Sequence, residues 1–498
     1  MTTSRLFWMV LLAAIPACTL VVDRSTSQCE VDADCAHFEG NLTCQAGVCS
    51  TLGPAGCFQG EPTTQDEYLN ACSSSSHVAF DNCAKLNMCD PSAALPATTT
   101  PSNPTVTALV NPQPEPQNGC EDGAEGAVIY MLGAGDFGPL LHAAQPFLTS
   151  GTRPYRAVFQ NSSSCAGVTS IFGSAAMKNP VNPLLGGWAF YFDASGNQVN
   201  CRLADGGNPI DIGVSDLYAE TCDPTFHAGG DVAEYLGPVV PFVLSVPAQS
   251  SEPSISIEAA HMVFGLGGKA PPGSGLLDAP WNDSTNFALR NSGAASTTLT
   301  ALLADVPRTK FWGVDRLSTD NLRDTLLTAP KAAVNSSIGI LSVDYNDKNR
   351  GNLRALYLQA RGQRTGYQPD SSPTTIDKAN VRDGHYPLWG YVHFFTSTHG
   401  GAGASEAAKA MVLKFNVSRL EQGLLDQIID ASLVPLCAMK VVRQSELGDY
   451  QGQTGYECGC YFDLKTKGKT DCTTCQTAED CPGKHACNYG YCELHQQQ

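Results

Sequence analysis

Positive charge is scarce in this chain. Its 498 residues carry 30 Lys and Arg against 48 Asp and Glu, a formal net charge of −18. That balance excludes nucleic acid as a partner, because neutralising a phosphate backbone takes a surplus of cations. Charged residues of both signs make up only 16% of the chain and hydrophobic ones 42%, so there is material for a buried core in more than one domain. Long apolar runs are missing too. The run from Leu6 to Ile15 behind Arg5 has signal-peptide proportions and is too short to cross a bilayer. No other segment reads as a transmembrane helix. Signatures of catalysis are also absent: there is no Gly-x-Ser-x-Gly elbow, no His-Glu-x-x-His and no Walker loop. His385, His393 and His399 stand eight and six residues apart, so they do not share a helix face and give no metal site. No nucleophile–base pair supports a phosphatase.

Cysteine is what the chain has in excess, 21 in all. That number implies an oxidising compartment. The apolar run ends in Ile15-Pro-Ala-Cys18, small residues directly before a cysteine, as in a bacterial lipobox. The plainer alternative is an ordinary signal peptidase site near Ala17. Lipid on Cys18 leaves an even number of other cysteines, which favours the lipobox. A cysteine module follows, Cys29-x5-Cys35-x8-Cys44-x4-Cys49, and a second closes the chain, Cys475-x5-Cys481-x5-Cys487-x4-Cys492. Each has too few apolar residues for a core, so disulfides are expected to hold it. Zinc is not expected, since no paired C-x2-C knuckles stand at finger separations.

The expected organisation is a signal peptide at 1–17, a lipid anchor with a cysteine-rich module at 18–56, and a four-cysteine module at 57–90. A Pro/Thr/Ser/Asn-rich linker follows at 91–119, then the main domain at 120–445 and a C-terminal cysteine-rich module at 446–498. Within the main domain, short apolar runs alternate with helical stretches, an α/β pattern.

Four strand–loop–helix units in that domain carry candidate chemistry. Val128 to Leu132 runs into Gly133-Ala-Gly135-Asp136-Phe137-Gly138, then a helix with Pro139 in its first turn. Free amides at such a helix start suit an anion. Val158 to Gln160 leads into Ser162-Ser163-Ser164, where hydroxyls and amides together suit an oxyanion; a Ser-rich capping turn is the alternative. Ile210, Ile212 and Val214 alternate as a strand and place Asp216 at its carboxyl end, where open α/β sheets hold ligands. Phe287 to Leu289 ends at Arg290, whose planar fork suits an oxyanion or an interdomain salt bridge; a helix follows Gly293.

The order and spacing of these units resemble the phosphate-binding proteins of bacterial ABC phosphate importers, within the class II periplasmic binding-protein fold. The resemblance covers roughly residues 126–443. It extends to Ile255–Phe264 before the turn Trp281-Asn282-Asp283, to Ser337–Leu341, to Tyr386-Pro387-Leu388, and to a closing helix from Gly423 ending Val434-Pro435-Leu436. It implies an α/β fold of two lobes with small disulfide-rich modules at both ends. It also implies a binding protein, not an enzyme, with no cofactor and no metal. The implied ligand contacts are Gly135, Asp136, Phe137, Ser164, Asp216, Arg290 and Ser296. The chain departs from the pattern in two places: Asp136 stands where the family brings a hydroxyl, and Ala294-Ala295-Ser296 replaces Ser-Gly-Thr.

The implied function is a lipid-anchored, extracytoplasmic solute-binding protein for phosphate or another small oxyanion, with an ABC permease or a sensing system as partner. The implied place is the envelope of a Gram-negative bacterium, at the outer membrane, since Thr19 and no Asp follows Cys18. The alternative is a surface adhesin or interaction protein on a binding fold that no longer takes phosphate.

Overall fold

The structure, a computed structural model, describes residues 34, 43–45, 48–50, 56–104, 114–149, 155–179, 187–397, 406–416, 419–453, 455, 457–483 and 485–494. The expected signal peptide, the lipidation site Cys18, His399 and most of the first cysteine module lie outside these residues. The chain divides into two compact units, Met1–Ala55 and Gly56–Gln498. In the first, a hairpin pairs Thr43–Gln45 with Val48–Ser50 and sets Cys44 opposite Cys49.

In the second unit, lobe 1 opens with strand β1 (Ala127–Ala134), helix α1 (Phe137–Thr149), β2 (Tyr155–Ser162) and helix α2 (Ser164–Phe172). It continues through β3 (Ala189–Phe192), β4 (Gln198–Cys201) and β5 (Ile212–Ser215). Strand β6 (Val232–Pro247) then leaves lobe 1 and enters lobe 2. Lobe 2 holds β7 (Phe287–Leu289), helix α3 (Ala295–Leu303), β8 (Val314–Asp315), helix α4 (Thr319–Leu327), β9 (Ile338–Ser342) and β10 (Leu353–Ala355). Strand β11 (Trp389–Ser397) returns to lobe 1.

The strands join in the order β8-β7-β9-β6-β11-β5-β1-β2-β3-β4, with β10 also on β6. In lobe 1, β5, β1 and β2 are parallel, as βαβ crossovers require; in lobe 2, β7 is parallel to β8 and β9. This is the expected α/β arrangement of two lobes joined by crossing strands. The crossing pair, β6 and β11, is antiparallel, and its register breaks between Leu236 and Val239. Gly237 and Pro238 sit in that break. A proline without an N–H cannot continue a ladder, so the break falls where its cost is least. The pairing resumes as Val239↔Tyr391 on the lobe 2 side.

The core is aliphatic and aromatic in both lobes. In lobe 1, Leu140, Leu141 and Ala144 turn one face of α1 inward, and the Phe137 ring meets Phe159, Phe394 and Phe415 edge-on. In lobe 2, Phe264 stacks on Phe311. Residues before the first lobe are laid on the second: His77–Val78 pairs with Gly366–Tyr367, and His261 sits between the carbonyls of Pro96 and Ala304.

Disulfides Cys57–Cys72 and Cys83–Cys89 close the segment before lobe 1. Cys437–Cys458, Cys460–Cys472, Cys475–Cys487 and Cys481–Cys492 close the C-terminal segment. The sulfurs of Cys475, Cys481 and Cys492 lie within 4.8 Å of one another, but these bonds leave them no thiolate for a metal. Tyr461 anchors the segment by donating to Asp426, and Tyr489 by donating to the Leu420 carbonyl. No helix among the described residues is long and apolar enough to cross a membrane.

Candidate ligand site in the interlobe cleft

The site forms where strand ends of both lobes meet. On lobe 1, β1 and α2 press against β5. A Cβ on Gly133 would lie 1.8 Å from the Val214 carbonyl oxygen, and one on Gly167 2.3 Å from it. Only glycine permits this approach. It brings the loop after β1, the serine turn after β2 and the end of β5 side by side.

Ser163 caps α2 by accepting from the Ala166 amide at 3.3 Å. Ser164, the first helical residue, is 1% exposed. Its Oγ accepts from the Asp216 amide at 3.3 Å and lies 3.4 Å from Asp216 Oδ2. Asp216 is equally buried, and its Oδ1 has no hydrogen-bond donor. The Asp136 carboxyl lies close enough to that of Asp216 for each to act on the other's ionisation. Burial pushes Asp216 well above the ordinary carboxyl range, and the charge and hydrogen bond of Asp136 push it further. Burial raises Asp136 too, while its bond to Asp216 and the charge of Arg290 pull the other way. Asp216 is therefore the carboxyl pushed harder toward its protonated form, and Asp136 the one whose rise the charge of Arg290 opposes.

Arg290 comes from lobe 2, at the end of β7. Its Nη1 donates to Thr319 Oγ1 at 2.7 Å, and its buried Nε has no partner. Burial lowers its pKa from the usual value, and Asp136 opposes that shift. The Arg290 carbonyl accepts from Thr297 Oγ1 at 2.9 Å, which ties the arginine to the first turn of α3. The N-cap of α3, Ala294, has no side chain to satisfy the first amides. Ser342, at the end of β9, turns its hydroxyl to Asp344 at 2.7 Å.

These groups enclose a cavity of about 20 Å3 for the centre of a water-sized solute, lined among others by Gly135, Asp136, Ser164, Asp216, Arg290 and Ser296. That is room for about one water. A second cavity of about 110 Å3 adjoins it and shares Gly135, Ser162, Arg290 and Thr319. Six of the seven expected contacts thus line one space. Phe137 stands outside the lining. Its ring is 2% exposed and lies in the lobe 1 core, because the first turn of α1 points it inward at Phe159 and Phe394. The sequence reading missed Thr319 and Ser342. Thr319 follows the N-cap Ser318 of α4, a local capping signal that says nothing of a distant arginine.

Larger cavities, of 510 and 770 Å3, lie beside Tyr218, Tyr391 and Arg443 and beside Tyr68 and Tyr450. The Arg443 guanidinium in the first stacks on Trp389 and donates to the carbonyls of Pro387 and Trp389. His385 meets the Ala71 carbonyl and His393 meets Glu234, so neither offers a shared metal position with the other.

No family model matches this chain, and no curated protein matches it. Among solved structures, it is similar to a Clostridium perfringens protein assigned as a phosphate ABC transporter substrate-binding protein, with phosphate bound. Identity is 12%, covering 62% of this chain and 99% of that one, with a TM-score of 0.41. An ABC-type phosphate transport receptor from Vibrio cholerae gives 10% identity, 61% and 99% coverage, and a TM-score of 0.38. The reduced OxyR regulatory domain from Pseudomonas aeruginosa gives 12% identity, 61% and 98% coverage, and a TM-score of 0.30. Similarities of this size, spread over receptors and a regulator, select no ligand.

Proposed function

We propose that this chain is an extracytoplasmic solute-binding protein whose lobes close on a small oxyanion, phosphate being the first candidate. One observation carries the reading. A guanidinium from lobe 2 meets a carboxyl pair and a buried serine from lobe 1 around a single small cavity at the strand ends. Arg290 supplies planar donors, Ser164 a hydroxyl, and the uncapped start of α3 its amides. With one proton on the carboxyl pair, the charges of Asp136, Asp216 and Arg290 cancel, so an entering anion meets a neutral cleft. A bare carboxylate ~5 Å from a unit anion costs roughly 3 kcal/mol at an effective dielectric of ~20. A second proton, on Asp136, removes that cost. Binding is therefore accompanied by proton uptake, and affinity falls as pH rises.

The lipid anchor at Cys18, the outer-membrane location and a permease or sensing partner belong to the same proposal. Mass spectrometry of membrane-extracted protein is expected to find an acylated N-terminal Cys18 peptide; an unmodified one refutes the anchor. Isothermal titration with phosphate, sulfate and small carboxylates tests the ligand.

A second reading is favoured by the same Asp136: its carboxylate already answers Arg290 from within the protein. A cleft satisfied in this way suits an adhesin or interaction protein on a binding fold. Failure of every anion to bind, in the wild type and in Asp136→Thr alike, selects this reading.

A further inference from the structure

The lobes also touch outside the cavity, at a disulfide. Cys165, the second residue of α2, is bonded to Cys222, which ends the helix Ala219–Cys222. The bond ties the turn that carries Ser164 to the segment that follows Asp216. Two contacts from lobe 2 land on it. The Cys165 amide, one of the donors a helix leaves free in its first turn, is satisfied by the Gly293 carbonyl across the cleft at 3.0 Å. Arg308, on the turn Arg308–Lys310, donates Nη2 to the Cys222 carbonyl at 3.1 Å and points Nη1 at Cys165 Sγ at 3.7 Å. Among the described residues Arg308 has no carboxylate partner within ion-pair distance, so its charge is directed at this contact. Gly293 has no room to spare: a Cβ there would stand 3.0 Å from Ser163 Oγ and 3.5 Å from the Cys165 Cβ. None of Arg308, Gly293, Cys165 and Cys222 lines the cavity, and Arg308 and Cys222 do not adjoin a lining residue in sequence.

We infer that Arg308 and Gly293, seated on the Cys165–Cys222 bridge, form the latch of the closed cleft and set how long a solute stays. The inference rests on the solute-binding reading, but its contacts are between the lobes and need no ligand. A charge-assisted bond to a carbonyl and a backbone bond across the cleft both break on opening, so both act on the release rate and neither on the recognition of the ion. The bridge supplies what a latch needs, a fixed seat: without it the Cys222 carbonyl and the Cys165 amide move independently.

The test uses the full chain and two kinds of variant. Arg308→Ala deletes the charged bond; Gly293→Ala inserts a methyl as a wedge. Hydrogen exchange of the Cys165 amide and stopped-flow release of phosphate are read in parallel, with melting temperature as the control for folding. Both variants are expected to exchange the Cys165 amide and release phosphate about tenfold faster or more, with little change in melting temperature. Arg308→Lys, which keeps one donor, is expected to recover part of the loss. Wild-type exchange at Cys165 in both alanine variants overturns the latch. If the wild type binds no phosphate, the exchange arm still decides the latch, and the failure belongs to the ligand reading alone.

Discussion

Arg290 is the cation that the cleft cannot spare. It brings the charge of lobe 2 to the cavity, and its buried Nε is unpartnered while Nη1 is held by Thr319. Arg290→Ala is expected to weaken anion binding by about 2–5 kcal/mol, the range for removing one partner of a buried charged pair. Thr319→Val, which frees Nη1, should cost less, about 1 kcal/mol. Titration calorimetry of the three proteins sets the order. Asp136 works in the opposite sense. It and Asp216 are raised above the ordinary carboxyl value of 3.8, so above that pH the folded protein holds protons that the unfolded chain has lost. Stability from this pair is present in acid and is lost as pH climbs through the folded-state values. Asp136→Asn is expected to raise stability, and to raise it more near pH ~8 than near pH ~5. Urea unfolding at both values checks it; an equal or opposite shift would remove the buried carboxyl pair from the account.

The elements explain how much of this was legible in the chain. The glycine loop after β1, the serine turn after β2, the alternation that ends at Asp216 and the arginine after β7 are local patterns, each readable within a dozen residues. Because they all lie at strand ends of one fold, naming the fold brought them together. Distances that depend on closure had no such signal. Cys165 and Cys222 are 57 residues apart, and nineteen other cysteines compete as partners for either. Arg308 reaches the bridge only when the lobes meet. The Phe137 side chain leaves the cleft for a local reason: Asp136 closes the turn before α1 and Phe137 opens the helix, so one side chain faces the cleft while the other faces the core. The C-terminal hairpin offers a separate check. Glu493 accepts from the Cys460 amide at 2.8 Å and the Tyr461 amide at 3.2 Å, yet burial pushes its pKa up from 4.5 to about 7. Its contribution to stability is therefore lost as pH rises from 4.5 to about 7. Glu493→Gln keeps the acceptor oxygen and removes the titration, so its melting temperature should fall less over that window than the wild type's.

At the scale of the molecule, disulfides close the segments before and after the two lobes and brace lobe 1 itself. Cys120–Cys201 and Cys165–Cys222 close loops with sequence separations of 81 and 57 residues, and on chain-entropy grounds each is worth about 4 kcal/mol. Reduction is expected to lower the melting temperature and to loosen lobe 1 before lobe 2, where among the described residues no disulfide joins strands of the sheet. Hydrogen exchange with and without reductant reads that order. The proposed role, a receptor that closes on a small ion, makes the proton dependence of the cleft the point to measure. The most direct test is titration of phosphate into the wild type and Asp136→Thr from about pH 5.5 to about pH 8. The account predicts that wild-type affinity falls with pH by up to about tenfold per unit more steeply than that of Asp136→Thr, and that the variant binds more tightly at the upper end. Phosphate's own ionisation is common to both proteins, so the difference in slope belongs to Asp136. Parallel slopes would contradict proton-coupled binding, and no binding by either protein at any pH would contradict an oxyanion site in this cleft.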